Sequence, residues 1–170
     1  HPKNVAEAIK GQAVTQTGDQ EIAGVKNFVT MPTVNGLPLE SSRMAIYEAS
    51  GVGEVEAKYQ AAFNKDNMKF VLIRVGNRVD AFVRCNLSDP TKLNNNVVKV
   101  FTVPTGYTLS TKITKGIWNL ALTAMQYTFP QPNCAGLYEM GNQGILFGAN
   151  RAGNIYLQGS WYTDDPFPTK

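Results

Sequence analysis

From Arg43 to the C-terminus, apolar and polar residues alternate with a period near two, the pattern of strands with one face buried and the other wet. In EVEAKYQAAF, Val55, Ala57, Tyr59, Ala61 and Phe63 alternate with Glu54, Glu56, Lys58 and Gln60, which predicts the clearest strand of the chain. MKFVLIRV and RVDAFVRC meet at Gly76-Asn77. Both turn residues tolerate positive φ, so the two runs predict a hairpin with a two-residue primed turn. VVKVFTV and YTLSTKI predict further strands. WNLALTAMQY reads as strand or helix, because Leu120, Ala121, Leu122 and Ala124 also favour helix. GILFGA and NIYLQGSW flank Asn150-Arg151-Ala152-Gly153 and predict a second hairpin. About seven to nine short strands separated by turn residues predict an antiparallel sandwich or barrel with little helix.

The pattern ahead of Arg43 is different. Val5, Ala8 and Ile9 have the i, i+3, i+4 spacing of a helix that Gly11 would stop. Ile22, Val25, Phe28, Val29, Val34, Leu37 and Leu39 are then single apolar residues among Gly18, Gly24, Pro32, Gly36 and Pro38. Side chains so sparse cannot form an interior within one chain, which predicts an assembly whose neighbouring copies complete it. Gly18 and Gly24 permit the close backbone approach that such winding needs. The chain starts at His1 without Met, so it reads as a trimmed fragment, or as a chain with a cloning remnant at its start, whose native N-terminal part is missing.

Composition narrows the function. The chain has 170 residues, 43% of them hydrophobic, enough for one globular domain and a small appendage. The net charge is +3 and the sixteen Lys and Arg are scattered, so no footprint for nucleic acid or an anionic membrane stands out. The longest apolar runs, such as FVLI at 70–73, fall far below the ~18 residues of a membrane span, and no membrane insertion is expected. Cys85 and Cys134 read as reduced thiols more readily than as a pair. His1 is the only histidine, which argues against a zinc site and against Ser-His or Cys-His catalysis. Asn94, Asn95 and Asn96 mark a solvated loop. Dinucleotide, phosphate-loop and zinc-protease motifs are missing from the sequence. Glu139, Asp164, Asp165, Asp80 and Asp89 could supply the carboxylate pair of a glycosidase, but solvated loop acids are far commoner. The expectation is a protein without catalysis, cofactor or resident metal, although Asp164 and Asp165 are hard-cation ligands that calcium would accept.

A binding module is the remaining class. The tail reads GSWYTDDPFPTK, where an indole face at Trp161, with Tyr162 beside it, would cover the C–H face of a sugar while Asp164 and Asp165 accept hydroxyl hydrogen bonds. In the other reading Trp161 and Phe167 plug the end of the barrel. Trp118, followed by Leu120 and Leu122, reads as core. Arg151 at a hairpin tip presents a fork suited to phosphate or carboxylate. The Gly- and Asn-rich stretch that holds Tyr138 and Glu139 predicts a loop, and Glu139 joins the candidate saccharide contacts.

TGDQEIAGVKNF, followed by MPTVNGLPL, resembles the neck segment of tail fibres and receptor-binding proteins of tailed bacteriophages, especially lactococcal siphophages. The shared run is T-G-D-x-x-I-A-G-x-K-x-F, met here by Thr17, Gly18, Asp19, Ile22, Ala23, Gly24, Lys26 and Phe28. The ending G-S-W-x-T-D-D-P-F-P is similar to the ends of some phage head domains. The resemblance implies a mainly β homotrimer with three parts: the end of a helical shoulder at 1–16, an interlaced β neck at 17–40, and an antiparallel β-barrel or jelly-roll-like head at 41–170. Ile22, Val25, Phe28, Val34 and Leu37 would line the trimer neck. The head would bind host cell-wall polysaccharide or a teichoic-acid-like glycan. Other baseplate proteins would be met through the N-terminal part, and the chain would be made in the host cytoplasm and carried in the virion. Heads of this family use Trp, Asp, Arg and often His, and this head has no His. A baseplate or fibre component that touches no sugar, and a polysaccharide depolymerase, are the rival readings.

Overall fold

A computed structural model describes residues 30, 32–34, 37–38, 43–114, 119–128 and 133–168. The chain falls into two compact units, residues 1–38 and 39–170. In the first, β1 (Thr33–Val34) pairs antiparallel with β2 (Leu37–Pro38), Val34 opposite Leu37. Residues 5–9, Ile22, Val25, Phe28 and Trp118 lie outside the described residues.

The second unit is mainly β, one antiparallel eight-stranded sheet curled into a nearly closed barrel. Its strands are β3 (Met44–Ser50), β4 (Lys69–Val75), β5 (Arg78–Leu87), β6 (Val98–Thr102), β7 (Asn119–Gln126), β8 (Cys134–Glu139), β9 (Gly144–Ala149) and β10 (Gly153–Tyr162). Their order is β3-β4-β5-β10-β7-β8-β9-β6. β7 makes the corner: Asn119–Leu122 pair with β8, while Thr123–Gln126 pair with β10. Phe70 and Leu72 of β4, Val79 to Cys85 of β5 at alternate positions, and Ile155, Leu157 and Trp161 of β10 face inward. They meet Val98, Val100 and Phe101 of β6, Tyr138 of β8 and Ile145 and Phe147 of β9. Phe70 stacks on Phe101 with centroids 5.2 Å apart. A register shift between Lys99 and Phe101 lets Val100 and Phe101 both be buried, as a bulge does.

The Gly76-Asn77 hairpin forms as expected, with Val75 opposite Arg78. Gly76 alone takes positive φ, at 56°, the pattern of a turn with glycine first. WNLALTAMQY resolves as strand over β7.

Four expectations fail. EVEAKYQAAF is not a strand: Ala57–Gln60 form a helical turn, α1. Val55, Tyr59, Ala62 and Phe63 carry the burial while Ala57 and Ala61 are exposed, so the i, i+4, i+7, i+8 set overrides the alternation. Gln60 Nε2 donates to the Val55 carbonyl at 2.9 Å and tightens that turn. YTLSTKI is not a strand either. Tyr107 to Ser110 run as irregular chain into the short helix α2 (Thr111–Thr114), because the Ser110 N–H is taken by the Tyr162 carbonyl, 2.7 Å away. β9 and β10 form no hairpin: β5 and β7 occupy the two edges of β10, leaving β9 to pair with β8 and β6. Tyr138 and Glu139 belong to β8 rather than to a loop.

Candidate functional site

The tail that looked like a sugar platform is a clasp. Trp161 is 4% exposed, its indole N–H donates to the Tyr107 carbonyl at 2.7 Å, and its ring lies 4.7 Å from that of Tyr138. No indole face is left for a ligand, and the plug reading of Trp161 holds. Asp165 Oδ2 accepts from the Gly106 and Thr108 N–H groups and from Thr108 Oγ1, at 2.8, 2.8 and 2.7 Å. Burial opposes ionisation of this carboxyl, but the Thr108 and Gly106 donors and the Arg74 charge outweigh it and hold the pKa below the usual carboxylate value. Asp164 accepts from Ser110 Oγ and lies 3.7 Å from Lys112 Nζ.

Arg74 organises the clasp from within. At 1% exposure it donates to the carbonyls of Gly76 (2.7 Å), Gly106 (2.6 Å), Asp165 (2.9 Å) and Pro166 (3.1 Å). Its guanidinium also lies 4.9 Å from the Phe167 ring centre, with that of Arg43 at 4.4 Å. A planar fork with five donors suits several converging carbonyls, which a lysine could not serve. Sequence reasoning passed over this residue, and the signal was there: a lone Arg at an inward position between Leu72 and Val79.

The other expected contacts do not converge. Tyr162 is exposed on the outer face of β10. Glu139 closes β8 and accepts from Asn142 Nδ2 at 2.6 Å. Arg151 precedes β10, a ten-residue strand that ends at Tyr162, which puts it roughly 30 Å from the clasp at ~3.3 Å per residue. Among the described residues no group of three or more acids, histidines or cysteines is placed to hold a metal ion, and both cysteines are free thiols.

At the Arg151 end the surface opens into a cleft of about 290 Å³, lined by Asn95, Asn96, Asn133 and Asn150 over a floor of Cys134, Ala135, Gly148 and Ala149, with Val97 at the rim. One wall is built by the Asn run. The 3₁₀ turn Pro90–Leu93 is started by the Asp89 carboxylate, which accepts from the Thr91 N–H at 3.1 Å, and anchored by buried Leu93. Asn94 and Asn95 then take φ of 50° and 57°, which Asn tolerates better than most residues. Asn96 Nδ2 closes the bend on the Leu93 and Asn94 carbonyls. The returning chain passes so close to β9 that a Cβ on Gly148 would lie 3.2 Å from the Asn96 carbonyl oxygen.

The opposite wall is an amide relay. Asn133 Nδ2 donates to Gln126 Oε1 at 2.7 Å, and Gln126 Nε2 donates to the Ala152 carbonyl at 2.7 Å. The Asn150 N–H donates to the Asn133 carbonyl at 3.1 Å. Gln126 is buried, so the relay is fixed in place. Burial pushes the Cys134 thiol up, the Asn133 backbone opposing it in part, so this floor residue carries no charge at neutral pH. Neutral amides supply donors and acceptors together, small floor residues admit a ligand close to the backbone, and Val97 offers an apolar edge. That set matches a polyhydroxylated, uncharged ligand. The sequence reading saw Asn94–Asn96 only as a solvated loop, and nothing local joins them to Asn133 and Asn150.

No protein-family model matches the sequence, and no curated protein does.

Proposed function

We propose that this chain is the receptor-binding end of a tailed-bacteriophage fibre or baseplate protein, a homotrimer that attaches to host cell-surface saccharide without turning it over. The observation that carries the reading is the asparagine-lined cleft at one end of the barrel. The T-G-D-x-x-I-A-G-x-K-x-F run ahead of that barrel supports the phage assignment. A site of this size, with few charges and one apolar edge, binds a sugar unit at about millimolar strength, roughly −4 kcal/mol. Three sites per trimer and many trimers per particle then raise avidity by about 10² to 10⁴. Asn95, Asn96 and Asn150 orient hydroxyls beside the fixed Gln126–Asn133 relay, and Val97 packs a C–H face.

Pull-down of the purified chain by lactococcal cell walls tests the reading. Binding that Asn150→Ala reduces several-fold, at unchanged melting temperature and with no new reducing ends, is expected. Lack of binding to any wall preparation favours a purely architectural component, and release of reducing ends favours a depolymerase.

A further inference from the structure

The curled sheet ends on two edge strands, β3 and β6, which do not pair with each other. Such edges offer backbone groups to a further strand, and most are blunted against it. β6 is five residues long, carries Lys99 and is bent by its register shift, all of which discourage pairing. β3 reads MAIYEAS, without Pro or Lys, and keeps unbroken register with β4 over its seven residues. Its open side can be assigned residue by residue. The Gly76 N–H donates to the Arg43 carbonyl and the Gly51 N–H to the Met68 carbonyl, both at 3.1 Å. Hydrogen-bonded positions alternate in an antiparallel pair, so Ala45, Tyr47 and Ala49 bond to β4, and the N–H and C=O groups of Met44, Ile46, Glu48 and Ser50 point away from it. Those groups have no backbone partner among the described residues, and Met44 and Ile46 are exposed.

A cavity of about 550 Å³ is lined by residues 43–46 on one side and by Tyr107, Phe167 and Pro168 on the other. Consecutive residues of a strand point to opposite faces, so a cavity that all of them line runs along the strand's edge. Most of its wall is apolar, and two polar side chains in it have donors to spare. The Arg43 guanidinium lies against the Phe167 ring at 4.4 Å and makes no ion pair among the described residues. Tyr107 is 4% exposed, and buried hydroxyls are usually bonded. Its hydroxyl has no hydrogen-bond partner among the described residues, yet the atom is not sealed off. Burial pushes its pKa up, the Arg74 charge opposing it, so at neutral pH the hydroxyl keeps its proton and can donate.

We infer that the β3 edge takes up the extended C-terminal end of another polypeptide as an antiparallel strand, with its terminal carboxylate held by Arg43 and Tyr107. Unpaired main-chain donors and acceptors select an extended backbone. An antiparallel strand ends beside the start of β3, where Arg43 lies. The carboxylate accepts from the guanidinium fork and from the hydroxyl, and the last apolar side chain of the peptide enters the cavity. The site is at the clasp end of the barrel and does not rest on the saccharide cleft.

The intact chain is titrated with fluorescein-labelled hexapeptides of alternating threonine and valine that end in valine, leucine or phenylalanine, each made with a free and with an amidated C-terminus. Fluorescence polarisation reads binding. The free acids are expected to bind, and amidation or Arg43→Gln to weaken binding roughly tenfold. Tyr107→Phe, which keeps the ring and deletes only the hydroxyl, should weaken it several-fold at unchanged melting temperature. Amide hydrogen exchange in the complex should slow at Ile46 and Glu48 and keep its free-chain rate at Ala45 and Tyr47, a pattern that a contact through side chains alone would not produce. No binding by any of the free acids, equal binding of free and amidated peptides, or protection that does not alternate along β3 would overturn the inference.

Discussion

The two ends of the barrel use polar side chains in opposite ways. At the tail end, Arg74, Asp165 and Trp161 point their hydrogen-bonding groups at backbone of the same chain. At the amide end, Gln126 and Asn133 fix each other, while the exposed Asn95, Asn96 and Asn150 line open space. Charge and aromatic rings, which in sequence suggest a ligand, here hold the C-terminal segment on the barrel. Neutral amides, which in sequence suggest only a loop, shape the cleft. A buried cation needs several fixed acceptors to offset its lost hydration, and loop carbonyls supply them. An uncharged polyol needs the reverse, donors and acceptors left facing solvent.

The contrast can be broken most forcefully at Arg74. Arg74→Met leaves the carbonyls of Gly76, Gly106, Asp165 and Pro166 without their donor, and a loss of about 3–5 kcal/mol in urea unfolding is expected. Trp161→Phe keeps a ring against Tyr138 but deletes the bond to Tyr107. Destabilisation of about 1–3 kcal/mol is expected by the same measurement, with glycan binding of the folded fraction unchanged. Gly153→Ala attacks the amide end. Gly153 has φ of 133°, and a Cβ there would lie 2.7 Å from Gln126 Nε2. A cost of at least ~1 kcal/mol is expected, and wall binding should fall because the Gln126–Asn133 relay shifts.

Asp165 sharpens the comparison through pH. Its folded pKa lies below the ordinary value of 3.8, so its contribution is complete above that value and fades as pH falls through the lower, folded one. The stability gap between the unaltered chain and Asp165→Asn should stay level from neutrality to about pH 5 and narrow below pH 4 in acid titrations followed by circular dichroism. The smallest effect on stability is expected from Asn150→Ala, within about 0.5 kcal/mol as for an exposed surface position.

Local signals made part of this legible. The barrel class, the Gly76-Asn77 hairpin and strands β4, β5, β6, β9 and β10 followed from alternation and turn residues. EVEAKYQAAF misled because its apolar residues satisfy two periods at once, and only Val55, Tyr59, Ala62 and Phe63 find a core. β8 was hidden by Gly136 and the neighbouring Asn and Gly residues. Gly136 is demanded by packing: a Cβ there would lie 2.8 Å from a Leu157 methyl. The clasp and the cleft were the least legible, since Arg74 reaches Asp165 across 91 positions and the two cleft walls come from separate loops. Neither distance leaves a mark on composition or periodicity.

Titrating the ¹⁵N-labelled chain with cell-wall polysaccharide fragments, and following the side-chain amide and indole signals, reads both ends in one experiment. Shifts confined to the NH₂ groups of Asn95, Asn96 and Asn150, with the Trp161 indole signal still, are the expected result. Movement of the Trp161 indole signal while the three amides stay fixed would put the ligand on the clasp and contradict the account.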